Sequence, residues 1–238
     1  MTRALAIAGR DLRVHFFSAG GYIIACLFLF FSGLVFISRG FDQGQVASMR
    51  VFFSTGTVLL LFIAPAITMR AISDELRMGT FEMIMTCPIS ERELIVGKFL
   101  GALGFLAVLL VPTGAYVLAL EMYGRPDYGE IFCGYAGMLL AGSAFLASGI
   151  FVSALTNSQV VAYLITFFFW LLLSQVTAEL PAYLPDYWAG IVFALDPGPR
   201  LRDFAIGLVD SSNIVYFLSF VVVFLMAAVR AVRARRLA

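Results

Sequence analysis

Nucleophiles, metal ligands and charges are all scarce in this sequence. One histidine, His15, and three cysteines, Cys26, Cys87 and Cys133, are scattered over 238 residues. They make no CxxC pair, no tetrahedral ligand set and no disulfide framework, so a metal site is excluded and the cysteines read as free thiols. G-x-S-x-G is absent, and with it the elbow of a serine hydrolase. The single lysine, Lys98, follows Gly97, but Arg92 stands where a phosphate loop needs its first glycine and Phe99 where it needs Ser or Thr. The chain therefore carries no catalytic residue and no cofactor of its own, and it is not expected to hydrolyse ATP. Charged residues make up only 13% of it, and none falls near the middle of an apolar segment, where a proton-driven carrier needs one. No basic run is interleaved with aromatic residues, which excludes nucleic acid as a partner.

What is abundant is apolar. Hydrophobic residues make up 61% of the chain and its mean hydropathy is +0.96, more apolar surface than a soluble core of this size can hide. Six segments have span length: about 20–38, 51–69, 94–120, 131–153, 159–177 and 213–229. The first, at about 1.5 Å per residue, reaches roughly 28 Å, close to the hydrocarbon thickness of about 30 Å. The expected fold is an all-α polytopic membrane protein of six transmembrane helices, one domain over residues 1–238. Ahead of the first span, Leu5, Leu12 and Phe16 share one face of a helix over Met1 to Phe17 while Arg3, Arg10 and Arg13 share another, as an interfacial helix requires; Ile7 and Val14 depart from that pattern. No small-residue cleavage site follows, so this is not a cleavable signal peptide.

An even number of spans puts both ends of this domain on one side. Arg3, Arg10, Arg13, Arg70, Arg77, Arg92, Lys98, Arg230, Arg233, Arg235 and Arg236 fall there, against Arg39, Arg50, Arg125, Arg200 and Arg202 opposite. The positive-inside rule then places both termini and the central stretch in the cytosol, and the expected location is the inner (cytoplasmic) membrane as a multi-pass protein.

The stretch from Arg70 to Lys98 gathers nine of the 31 charged residues into 29 positions. Gly79-Thr80 can start a short helix with Thr80 as N-cap and Glu82 in its first turn; Pro88 stops it. Ser90 and Glu93 then have the spacing of a capping box that opens the third span. A capped turn between two spans is structural in itself. Phe81, Met83, Ile84 and Met85, however, are apolar residues in a segment that belongs in water, and such a patch needs a partner.

The residues here also carry a family likeness. Arg77 to Glu82 read R-x-G-T-hydrophobic-E, Thr86 to Ser90 read T-x-P-x-S, and Leu94 to Phe99 read L-x-x-G-K-F. Together with Phe52-Phe53-Ser54, Pro65-Ala66, the turn Leu155 to Gln159 and Gly207 to Asp210, this resembles the permease subunits of type-two ABC exporters, in particular the gliding-motility-like and copper-processing-like branches. The resemblance spans nearly the whole chain. It implies a coupling segment at 70–93, with a coupling helix formed by Gly79, Thr80, Phe81, Glu82, Met83, Ile84, Met85, Thr86 and Pro88 that docks into a separate ATP-binding subunit, where ATP and Mg are bound. It also implies a second permease copy or a related permease as partner, membrane lipid around the spans, an accessory subunit outside the membrane, and export as the direction. The reading from a different class is a non-transporting scaffold that anchors a cytosolic partner through the same patch. Nothing in the sequence selects a substrate.

Other features stay open. Gly97 and Gly101 are four apart, and Gly137, Ala141, Ala144 and Ser148 make a stripe of small residues, which suits a dimer or translocation interface or packing within the chain. Pro65 and Pro112 are kink sites within spans. Tyr163, Thr166, Ser174 and Gln175 either line a path or bond to backbone carbonyls. In the outer loop 179–212, Tyr183, Tyr187 and Trp188 suit the headgroup layer, and Leu201, Phe204, Ala205 and Leu208 recur at helical spacing, as a helix that gates the bundle or only caps it.

Overall fold

A computed structural model of the chain describes residues 2–39, 49–81, 89–123 and 127–237. The helices bounded within the described residues are α1 (Thr2–Phe17), α2 (Ala19–Arg39), α3 (Arg50–Thr68), α4 (Ser73–Arg77), α5 (Glu91–Leu110), α6 (Gly114–Tyr123), α7 (Tyr128–Leu155), α8 (Gln159–Glu179), α9 (Asp186–Ala194), α10 (Pro197–Ala205) and α11 (Ser211–Leu237), with 3-10 turns at Val111–Thr113 and Leu180–Tyr183. No strand occurs among the described residues. Among the described residues, six stretches are long and apolar enough to cross a bilayer: Ala19–Ser38, Arg50–Arg77, Glu91–Met122, Tyr128–Leu155, Gln159–Tyr183 and Ser211–Arg236. The chain is an all-α polytopic membrane protein.

The bundle is built around α7. Its apolar window is 78% buried, against 22% for α2 and α8 and 17% for α11, whose outer faces are left for lipid or other chains. Small residues make this possible. A Cβ on Gly134 would lie 2.2 Å from Phe53, on Gly137 2.5 Å from Phe204, and on Gly142 2.3 Å from Leu106, so α3, α10 and α5 each press directly on the α7 backbone. Ser148 accepts a 2.8 Å hydrogen bond from the Trp170 indole of α8. The stripe of Gly137, Ala141, Ala144 and Ser148 is thus packed within the chain, and all four are buried.

Gly97 and Gly101 serve α1 in the same way. Ala4 lies against Gly97, Ala8 against Gly101 and Leu12 against Gly104, so α1 runs alongside α5 in the same direction. Ala4, Ile7 and Ala8 are buried, and Leu12 and Phe16 pack against the same core. Leu5 does not join them. It is 60% exposed, because the close approach to the glycines needs alanine, and that turns the buried stripe toward Ala4 and Ala8. Gly97→Val is expected to wedge the two helices apart at a cost of about 1–3 kcal/mol, since its Cβ would sit 2.8 Å from Ile7 Cβ and 2.9 Å from the Ala4 carbonyl. Gly104→Ala meets only the far end of Leu12 at 3.5 Å and should be neutral or stabilising. Thermal unfolding of the purified chain in detergent compares the two.

The two prolines behave differently. Helix α3 continues through Pro65, and Met69 N–H donates to the Pro65 carbonyl at 2.8 Å. Pro112 lies in the 3-10 turn that separates α5 from α6, where Thr113 Oγ1 donates to the Leu110 carbonyl (2.6 Å) and lies 2.8 Å from the Tyr135 hydroxyl. In the loop after α8, Phe204 and Ala205 of α10 are buried against α3 and α7, while Tyr183, Tyr187 and Trp188 are exposed. Leu208, expected on the same helical face, lies beyond the helix and is 58% exposed. Gly207 ends α10 at φ +83°, with Gly207 N–H donating to Phe204 and Leu208 N–H to Asp203, the hydrogen-bond pair that closes a helix C-terminus through a left-handed residue.

Candidate functional site

At one end of the bundle the chain leaves α3, makes α4, and enters the segment that the sequence marks as a partner site. This exit is held firmly. Ile72, at the N-cap of α4, is fully buried, and the free N–H groups of Ile72 and Ser73 donate to Ser153 Oγ on α7 at 3.0 and 3.1 Å. The Ser153 hydroxyl donates in turn to the Met69 carbonyl at 3.3 Å, and Ser73 Oγ donates to the same carbonyl. One serine on the central helix therefore satisfies the open backbone of the α3–α4 turn. Asp74 and Glu75 occupy the first turn of α4, where their charge suits the helix dipole. Gln159 at the start of α8 reaches across, donating from Nε2 to Asp74 and accepting from Arg70 Nε at 3.2 Å.

A buried ion cluster lies beside this turn. The Lys98 side chain is only 3% exposed, and its ammonium meets Glu75 Oε1 at 2.7 Å and Asp11 Oδ2 at 3.4 Å. Arg10 closes the group at 3.0 Å from Asp11 and 3.7 Å from Glu75. Two cations and two carboxylates from α1, α4 and α5 thus neutralise one another, with Lys98, Glu75 and Asp11 largely buried and Arg10 at the exposed edge. Glu75 Oε2 is buried without a hydrogen-bond partner. Because α4 lies beyond the end of α3, the cluster sits at the end of the bundle and not at mid-span. His15 adds a tie, with Nδ1 2.8 Å from the Asp11 carbonyl and Nε2 3.2 Å from the Ile67 carbonyl on α3.

Neighbouring chain ends are clipped to the same region. Arg236 pairs with Glu91 at 2.7 Å, and Arg235 donates to the Leu155 carbonyl (2.7 Å) and to Asn157 Oδ1 (3.3 Å) in the α7–α8 turn. The capping box forms as its spacing predicts: Glu93 N–H donates to Ser90 Oγ at 3.3 Å and Ser90 N–H to Glu93 Oε2 at 3.0 Å. It launches α5 at the far side of the 82–88 segment.

Of the residues expected to meet a partner, three are placed here. Gly79 has φ +70° and ends α4, a conformation that favours glycine. Thr80 is already helical, so the cap position falls on Gly79, and the Thr80 hydroxyl donates back to the Glu75 carbonyl at 3.4 Å. Phe81 is 7% exposed and belongs to the chain's own core, which corrects its expected place in an exposed patch. Glu82, Met83, Ile84, Met85, Thr86 and Pro88 lie outside the described residues. Sequence reasoning missed Asp11, Glu75 and Lys98 as a unit. The signal was there: a lone lysine within the apolar run Leu94 to Leu103 must find carboxylates, and Asp11 stands in the amphipathic first helix.

The class of molecule follows from these features: a helical membrane protein with six candidate spans, most of whose ion pairs among the described residues gather at the anchored exit of the second span. Its sequence from residue 35 to residue 190 matches the family described as ABC-2 family transporter protein, and the chain belongs to that family. It is therefore a membrane permease of an ATP-binding-cassette transporter, the transport component and not the hydrolase, in a family whose members work with an ATP-binding subunit. No curated protein matches the chain at a significant level.

Proposed function

We propose that the chain is the permease subunit of an exporter of the gliding-motility-like or copper-processing-like branch, and that residues 79–88 couple it to a separate ATP-binding subunit that binds ATP and Mg. The chain works as two copies or beside a related permease, in the inner membrane, with both termini and the coupling segment cytosolic. The observation that carries this reading is the anchorage of the segment's entrance. A passive loop needs no buried Lys98–Glu75 pair, no serine holding its turn and no glutamine from the next span. A lever does, because force applied at 82–88 reaches α1, α5, α7 and α8 only through a stiff connection. Hydrolysis in the partner then rocks those helices between inward- and outward-open states.

Orientation is tested with Cys87. In a variant lacking Cys26 and Cys133, a membrane-impermeant maleimide added to intact cells should leave the protein unlabelled, and permeabilisation should expose the thiol. Labelling from outside overturns both the topology and the coupling assignment.

A further inference from the structure

At the end of the bundle opposite the ion cluster, a half-enclosed cavity of about 220 Å³ lies between α3, α7, α8 and α10. Its floor is Phe145 and Trp170, both almost fully buried, and Leu61 and Leu201 form its sides. It exceeds the ~150 Å³ apolar cavity that takes up a benzene molecule, and its mouth, at Val58 and Ser54, is exposed.

The polar groups at this cavity have been used up, with one exception. Ser54 donates to the Val51 carbonyl, Thr57 to Phe53 and Ser174 to Leu171, each within its own helix, so these hydroxyls offer no free proton. Pro197 has no N–H, and Gly198 N–H is taken by Asp196 Oδ1 at 2.9 Å. Arg202 stands exposed at the rim, and among the described residues no carboxylate pairs with it. Its neighbour Arg200, by contrast, is bound to the Asp196 and Ala194 carbonyls and lies 4.0 Å over the Tyr216 ring. A cavity with apolar walls and one unpaired guanidinium at its mouth is complementary to a ligand with an apolar body and an acidic end.

We propose that this cavity binds the transported molecule and that the molecule is an anionic amphiphile, its chain or ring against Trp170 and its acid group on Arg202. The claim rests on the permease reading for the word transported; binding itself does not. Two sources share the chemistry, a free single-chain acid and an acidic bilayer phospholipid, and the test separates them.

Trp170 is a built-in reporter, because Trp188 is the only other tryptophan and Trp188→Phe leaves one indole, in the cavity wall. The purified Trp188→Phe chain, in nanodiscs of zwitterionic lipid and without any ATP-binding subunit, is titrated with dibrominated stearate and with its methyl ester, since bromine quenches indole emission at contact. Saturable quenching by the acid is expected, with the ester weaker by on the order of tenfold, the worth of one charge-assisted pair. Arg202→Gln should bring the acid down to the level of the ester, and Val58→Phe, at an exposed position of the mouth, should reduce quenching by both. If a phospholipid is the ligand, nanodiscs containing brominated phosphatidylglycerol show the Arg202-dependent quenching and the free acid does not. Absence of quenching in every arm overturns the proposal. So does quenching that is equal for acid and ester, or that survives both substitutions, which is what lipid surrounding the protein would give. A negative result here leaves the permease assignment standing, because no coupling step enters the measurement.

Discussion

Replacing Glu75 with alanine is expected to destabilise the purified chain by about 3 kcal/mol, among the largest single effects in the molecule. The substitution strands the Lys98 ammonium, 3% exposed, with Asp11 at 3.4 Å as its remaining carboxylate. Breaking a buried pair from one side costs about 3–5 kcal/mol because the surviving charge keeps its desolvation penalty and loses its partner. Asp11 softens that loss, although it is shared with Arg10, and this sets the lower end of the range. The double variant Glu75→Leu with Lys98→Met should recover most of the stability, since an apolar pair of similar size is often as good as the ions it replaces. Melting in detergent measures both. Function should separate what stability does not: the double variant folds, yet with α4 no longer tied to α5 by charge, hydrolysis in the partner should lose its response to substrate. A Glu75→Ala chain that melts with the wild type would mean that the cluster is open to water.

Phe81 and Ile84 should part company. Phe81 is 7% exposed within its own chain, so Phe81→Ala is expected to cost about 3–5 kcal/mol and to act as a folding lesion. Ile84 stands in the apolar run that no soluble loop requires, and Ile84→Asp should leave melting unchanged while it removes an apolar anchor worth roughly 1.5–3 kcal/mol from the partner's groove and sets an unpaired charge there. If instead Phe81→Ala leaves stability intact and only docking suffers, then Phe81 turns outward in the complex, as the family resemblance implies.

Much of this was legible in residue type. Six apolar runs are a one-dimensional signal, because the bilayer demands about twenty residues per crossing whatever the tertiary packing. The Ser90–Glu93 box was readable because capping is local. The burial of Phe81 and the rotation of α1 toward Ala4 and Ala8 were not, because both depend on which helix lies opposite. Gly97 and Gly101 announced a close approach without naming the partner, and α1 was chosen by geometry. The Asp11–Lys98–Glu75 cluster was hidden for the same reason: its members are 64 and 23 residues or more apart, and only the fold joins them. Leu208 was lost to Gly207, whose left-handed turn stops the periodicity one residue too soon.

If residues 79–88 join this permease to an ATP-hydrolysing partner, as proposed, co-purification reads that joint without an intermediate step. The tagged chain is expressed with its ATP-binding subunit, solubilised, and scored for retained subunit and for hydrolysis, with Arg39→Ala, at the far end of α2, as the control. Wild type and Arg39→Ala should retain the subunit, and Ile84→Asp, with an unchanged melting temperature, should lose it together with substrate-stimulated hydrolysis. A folded Ile84→Asp chain that keeps both would mean that 79–88 is not where the ATP-binding subunit docks.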